Sequence, residues 1–247
     1  MDDPPPIPAA TLILFREVAR GAPQLLMIER ARTLAFAAGA VVFPGGRVDP
    51  GDQLLAQDHD LPHAAARIAA IRETIEETGL APALAPVPSA EVAAALRGEM
   101  AAGQPFGTLL ARYELSLDLR ALTPFARWQP NFREARRFDA MFFIARAPAG
   151  EPSADNHEAV RAVWISAVDM LAEIEAGRSQ AIFPTRRNLE RLARFASFAE
   201  AEADARLHPI ETITPWVEER GGKPHLCIPE GRGYPVTSEL LETARRS

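Results

Sequence analysis

The stretch "IRETIEETGL", Ile71 to Leu80, sets Glu73, Glu76 and Glu77 at i, i+3 and i+4. On a helix those three carboxylates project from one side, and like charges so placed cost about 0.2–0.5 kcal/mol per pair. They therefore face open water or meet a cationic partner, and Arg72 is expected to balance one of them at most. Ala64, Ile68, Ile71 and Ile75 recur at i, i+4, i+7 and i+11, which makes one apolar stripe. Pro62 suits an early helix residue, and Gly79 stands where a left-handed cap closes a helix. At about 100° per residue the glutamates point roughly opposite to the stripe. The stripe is thus expected to pack on the body, with the carboxylates facing outward into a cleft.

Working outward, "GAVVFPGG" (Gly39 to Gly46) ends in a turn, and a loop is expected from there to about Leu61. Upstream, Thr11 to Val18 and Gln24 to Arg30 read as strands joined in a hairpin-like pair. Downstream, Ser89 to Gly103 and Pro105 to Leu115 read as helices, Arg137 to Pro148 as a buried strand and Ala159 to Ile165 as a shorter one. Ser166 and Pro184 open two more helices, the second predicted to run to about Ala205, and the tail contains a hairpin region rich in turn residues. With no internal repeat and no low-complexity linker, one α/β domain over residues 1–247 is the economical reading, with a helical and hairpin extension over about 166–247.

Composition narrows the function. With 47% hydrophobic and 24% charged residues the chain has the balance of an ordinary globular protein. A formal charge of −6 with no long basic stripe argues against a nucleic-acid partner. The one cysteine, Cys227, rules out an internal disulfide and a zinc site built on cysteines. The acidic, proline-rich start "MDDPPPIPAA" lacks the plan of a secretory signal, and the longest apolar run, Leu34 to Phe43, is too short for a membrane helix, so no membrane partner and a cytoplasmic location are expected.

Three carboxylates on one helix face suit a hard divalent cation, Mg²⁺ or Mn²⁺, which prefers oxygen ligands and shares its shell with water and substrate phosphates. "GGRVDPGD" followed by "RETIEETGL" resembles the Nudix box, with Gly46 at the glycine place and Arg72, Glu73, Glu76, Glu77, Gly79 and Leu80 in its second half. The chain departs from that pattern at Asp52, where the box has its first glutamate, and at Thr74, where it has an aliphatic residue. Nineteen residues lie between Asp52 and Arg72 where seven are usual, an insertion of twelve that falls in about 53–64 of a box spanning 45–80. The resemblance implies a Nudix-type α/β/α sandwich with a mixed sheet and additional helices. It also implies Mg²⁺- or Mn²⁺-dependent hydrolysis of a diphosphate in a small-molecule nucleotide derivative, and a homodimer as one assembly seen among relatives.

The inserted box, "GAVVFPGG", "RWQP" (Arg127 to Pro130), "RRFDAMFF" and "YPVT" (Tyr234 to Thr237) are similar to the peroxisomal-type coenzyme A diphosphatase branch, although the Leu-Leu-Thr-like start of that branch's signature has no counterpart in "ERARTLAFAAGA". Coenzyme A or acyl-coenzyme A is the implied substrate, with ADP-ribose, NADH or a nucleotide sugar as the alternatives, and a non-catalytic nucleotide-binding module as a further one. The resemblance assigns metal binding to Glu73, Glu76 and Glu77, their orientation to Arg72, and loop shaping to Gly46; the Gly45-Gly46 turn is a candidate to bring backbone N–H groups to a metal-bound substrate phosphate or to the helix itself. In "NHEAVRAVWI" Glu158 resembles a further metal-binding or water-activating glutamate, so Glu77 and Glu158 are both candidates for the general base. Arg30, Arg32, Arg136 and Arg137 are each candidates to bind the extra phosphate of coenzyme A, and nothing in their spacing selects one. Arg187, Arg191 and Arg194 read as a solvated helix face, His59 and His63 as exposed loop residues, and Trp128 and Phe138 as core.

Overall fold

The computed structural model describes residues 5–33, 37–129, 137–155 and 157–246. Pro130, Arg136 and Asn156, named above, lie outside the described residues, as do residues 34–36 of the apolar run. In chain order the elements are β1 (Ile7–Arg16), β2 (Gln24–Arg30), β3 (Val41–Val42), β4 (Gly45–Arg47), α1 (Pro50–Ala56), α2 (Ala64–Thr78), β5 (Leu84–Ala85), α3 (Ala90–Ala101), α4 (Phe106–Arg112) and β6 (Ser116–Leu117). They continue with β7 (Thr123–Trp128), β8 (Phe138–Arg146), β9 (Ala159–Ser166), α5 (Ala167–Glu175), α6 (Phe183–Leu192), α7 (Phe198–Leu207), β10 (Thr212–Ile213), β11 (Trp216–Arg220), β12 (Lys223–Cys227), β13 (Ser238–Leu240) and α8 (Leu241–Arg246).

The main sheet runs β10-β7-β8-β1-β2-β3, with β4 also pairing β1 and β9 pairing β2. It is mixed: β1 lies parallel to β8 and β10 parallel to β7, while the other pairs are antiparallel. Alternation along the strands sends successive side chains to opposite faces. Leu12, Leu14, Met141 and Phe143 therefore join α2, α3 and α4 in one core, whereas Ile13, Phe15, Phe142 and Ile144 join α5, α6 and α7 in another. Each large aliphatic side chain so buried contributes about 1.5–3 kcal/mol of transfer free energy. The result is the expected α/β/α sandwich.

Three expectations are corrected. The segment expected as a loop contains α1, because Asp49 caps it, Pro50 opens it and the Asp52 carboxylate accepts from the Asp49 N–H at 2.9 Å. The helix expected to reach Ala205 is two helices, because the Ser197 hydroxyl caps a new one at the Glu200 N–H. Arg187 and Arg191 are not a solvated face: each is 1% exposed, Arg191 bonded to Asp204 and the Phe125 carbonyl and Arg187 to Glu190 and Glu239. Trp128 is core as expected, its indole N–H donating to the Tyr234 hydroxyl at 3.0 Å, and Phe138 is half-buried.

Candidate active site

Helix α2 carries the candidate residues. Its stripe of Ala64, Ile68, Ile71 and Ile75 is buried against the sheet, and Gly79 closes it at φ +72°. Thr74 and Thr78 are also buried, each hydroxyl returning to a carbonyl four residues back. The final carbonyls, which no later helical N–H can reach, are met from outside the helix. Arg97 on α3 donates to the Glu76 carbonyl at 2.9 Å and the Glu77 carbonyl at 3.3 Å, and the Ser153 N–H donates to Thr78 at 2.9 Å. The backbone beneath Glu76 and Glu77 is therefore held from behind.

Arg72 does more than the sequence suggests. Its guanidinium donates to both oxygens of Asp52 at 3.0 and 2.9 Å, to Glu73 and Glu76 at 2.9 Å each, and to the Arg47 carbonyl at 2.8 Å. One arginine thus serves three carboxylates, correcting the expectation that it balances one. The planar five-donor fork makes this possible. Burial alone would lower the Arg72 pKa, but the hydrogen bond it donates to Asp52 and the nearby carboxylates raise it overall. Asp52, 1% exposed, is therefore the anchor of Arg72 and stitches α1 to α2 across the insertion. The Asp-Pro-x-Asp pattern from Asp49 to Asp52, read as a capping box, is the signal that finds it.

Glu77 corrects a second expectation. It is 3% exposed rather than facing outward. One carboxylate oxygen accepts from the Gly45 N–H at 2.8 Å; the other has no hydrogen-bond partner among the described residues, with an Arg30 nitrogen at 3.9 Å. Burial raises the Glu77 pKa well above the ordinary range, Glu73 and Glu158 add to the rise, and the Gly45 N–H and Arg30 oppose it. Burial likewise lifts Glu73 to about 7, against Arg72, with Glu76 and Glu158 raising it further. Gly46 is required by close approach: a Cβ there would lie 2.3 Å from a Glu73 carboxylate oxygen.

The sheet brings the remaining candidates to the same end. The Ala31 N–H donates to the Glu158 carbonyl at 2.8 Å, which sets exposed Glu158 at the mouth of β9 beside the end of β2, within electrostatic reach of Glu73 and Glu77. Arg137 enters β8 at this end, its carbonyl accepting from the Ile7 N–H. Arg32 follows β2 and lines a cavity whose walls do not include Glu77. His59 and His63 belong to no metal-holding group of His, Cys, Asp or Glu among the described residues.

The fit to a divalent cation can be judged from the donors. No three such side chains converge as a closed cage among the described residues, because Glu73 and Glu76 are drawn to Arg72. Burial, the main cause of the raised pKa values of Glu73 and Glu77, and the unbonded Glu77 oxygen nevertheless leave carboxylates whose ionised form a cation would favour. All-oxygen donors suit a hard cation that keeps part of its water shell. The residues present fit Mg²⁺ or Mn²⁺ in an open site.

No family model matches the chain. Among solved structures, a Nudix hydrolase from Alicyclobacillus acidocaldarius is 29% identical, with 81% of this chain and 96% of that chain covered and a TM-score of 0.72. A MutT Nudix hydrolase from Burkholderia pseudomallei is 19% identical over 76% of this chain and 98% of that one, with a TM-score of 0.44. The Nudix domain of Shewanella oneidensis NrtR, solved with ADP ribose, is 13% identical over 78% and 88%, with a TM-score of 0.46. The last two are too distant to add weight to the first. Among the described residues no helix is long and apolar enough to cross a membrane. The 29% identical structure, the mixed sheet between two helical layers and the box residues gathered at one sheet end support the Nudix family and a pyrophosphohydrolase activity for this chain.

Proposed function

We propose that the chain hydrolyses the diphosphate of coenzyme A or acyl-coenzyme A, giving adenosine 3′,5′-bisphosphate and phosphopantetheine or its acyl form, with Mg²⁺ or Mn²⁺ held by Glu73, Glu76 and Glu77. The observation that carries the chemistry is Glu77, buried with one oxygen fixed by Gly45 and the other without a hydrogen bond among the described residues. Such a carboxylate is costly when ionised unless a cation meets it. When bound, the metal supplies water of lowered pKa and offsets charge developing on phosphate oxygens. Glu158 is the better general base of the two candidates, because it is exposed to water while Glu77 has one oxygen committed to Gly45. Arg72 orients Glu73 and Glu76, Gly45 and Gly46 shape the approach to them, and Arg30 and Arg137 supply positive charge at the same sheet end. The substrate rests on the "GAVVFPGG" segment and the inserted box.

The test is a mass-resolved product assay with Mg²⁺ and with Mn²⁺ against coenzyme A, ADP-ribose and NADH, with Glu77→Gln in parallel. Adenosine 3′,5′-bisphosphate from coenzyme A is expected, falling on the order of 100-fold or more in the variant. AMP from ADP-ribose or NADH with nothing from coenzyme A would discard the substrate and keep the chemistry. Turnover unaffected by Glu77→Gln would sink the assigned site.

A further inference from the structure

A general base acts only from within hydrogen-bond reach of the proton it takes. Glu158 stands exposed where the chain enters β9, so burial does not fix it. Its backbone is fixed instead. The Glu158 carbonyl accepts from the Ala31 N–H at 2.8 Å, which ties it to the end of β2. On the other side one carboxylate oxygen gathers three consecutive N–H groups: Asp155 Oδ1 accepts from His157 at 3.0 Å, from Glu158 at 3.0 Å and from Ala159 at 2.8 Å. Asp155 Oδ2 lies 3.3 Å from the Glu158 nitrogen as well. A capping side chain meets the first N–H groups of a helix in this way, yet here a strand follows.

The ground around Asp155 is held in turn. Ser153, two residues earlier, donates its N–H to the Thr78 carbonyl at 2.9 Å, and its hydroxyl accepts from Arg97 at 2.8 Å. Arg97 is also within electrostatic reach of Asp155, and the same guanidinium meets the Glu76 and Glu77 carbonyls. Asp155 therefore stands between the end of α2, which carries Glu76 and Glu77, and the backbone from which Glu158 projects. Bonds to a charged acceptor are roughly twice as strong as neutral ones. Those to His157 and Glu158 are nevertheless exposed, so water can replace Asp155 there, and the bond to Ala159 is part-buried. Loss of the carboxylate is thus expected to free the direction of the Glu158 backbone more than to unfold the chain.

We propose that Asp155 is a positioning residue for the hydrolysis: by holding the N–H groups of His157, Glu158 and Ala159 it aims the Glu158 carboxylate at the space in front of Glu73 and Glu77. The assignment rests on the diphosphatase reading, in which Glu158 takes a proton from the attacking water. Asp155 acts through Glu158 and touches no reacting atom. The Asp-x-x-Glu spacing from Asp155 to Glu158 is its signal in the sequence.

The test compares Asp155→Ala, Asp155→Asn, Glu158→Gln and the Asp155→Ala, Glu158→Gln double variant on whichever of coenzyme A, ADP-ribose and NADH the wild type cleaves, with amide exchange measured in parallel. Asp155→Ala is expected to lower kcat about 10–100-fold with KM within about twofold, as for a misplaced group that acts only in the transition state. Asp155→Asn, whose amide oxygen accepts the same N–H groups, should recover most of that loss. In the Glu158→Gln background Asp155→Ala should cost less than about twofold more, because the group it positions is already disabled. The Glu158 and Ala159 amides should exchange at least about tenfold faster in Asp155→Ala than in the wild type or Asp155→Asn. Unaltered exchange, an unaltered kcat, losses that multiply in the double variant, or global unfolding of Asp155→Ala overturns the assignment and leaves the diphosphatase reading standing. A wild type silent on the whole panel faults the diphosphatase reading itself and removes the assignment with it.

Discussion

The site turns on one side chain serving several neighbours and one glycine leaving room for another. A Cβ at Gly46 would meet the far end of the Glu73 side chain rather than backbone. Gly46→Ala is therefore expected to displace the Glu73 carboxylate and cut turnover by about 10–100-fold, while urea unfolding shifts by less than about 1 kcal/mol. A large loss of stability with activity retained would contradict this. The glycine and the glutamates were legible because they sit at fixed spacing in one stretch. Asp52 was legible as part of a cap but not as the partner of Arg72, since that bond spans an insertion whose path a linear pattern does not give. Nor was the burial of Glu77 legible: a helical projection gives direction, whereas burial depends on Gly45 arriving from another part of the chain.

At the scale of the element, α2 was readable from its apolar period and its closing glycine, but its start was not: Pro62 lies outside the helix, which begins at Ala64 after a left-handed His63 at φ 60° and runs to Thr78. What sequence alone did not disclose is how its C-terminal end is held, because the partner lies on α3. Arg97→Met removes donors from the Glu76 and Glu77 carbonyls. Amide exchange in the last turn of α2 should quicken, and turnover should fall about 10–100-fold, as for loss of a group that orients ligands. Unchanged exchange there would assign Arg97 to the surface instead. The missed break between α6 and α7 has a local cause: Ser197 was available as a cap in the sequence, but continuous helix-compatible residues on either side concealed it.

At the scale of the whole molecule, the strand types were legible and the order was not, because β1 lies parallel to β8 across more than a hundred intervening residues. The buried arginines escaped for the same reason, since Arg187 and Arg191 find carboxylates on distant elements. Tyr234 belongs to this long-range wiring. Its buried hydroxyl donates to Asn188 at 2.7 Å and accepts from Trp128, tying the tail to α6 and the sheet. Tyr234→Phe should cost about 1–3 kcal/mol in denaturant unfolding. Burial raises the Tyr234 pKa to about 12, above an unfolded value near 10, so its share of stability is full below pH ~10 and lost as pH rises through 12. The phenylalanine variant should lack that share of the alkaline decline; an identical decline would assign it to other groups.

The fork of Arg72 has a consequence for the life of the apo chain. Many small metal-binding folds collapse without their ion, because only the ion cancels the repulsion among its ligands. Here an internal cation already stands among Asp52, Glu73 and Glu76, so the chain is expected to fold before any metal is loaded. Excess chelator should silence the enzyme yet leave a cooperative thermal transition, and restoring Mg²⁺ should return activity without a refolding lag. Unfolding on chelation would show the opposite coupling. If loading is separate, catalysis becomes answerable to the free magnesium or manganese around the protein: a folded pool waiting on ion supply, rather than on synthesis.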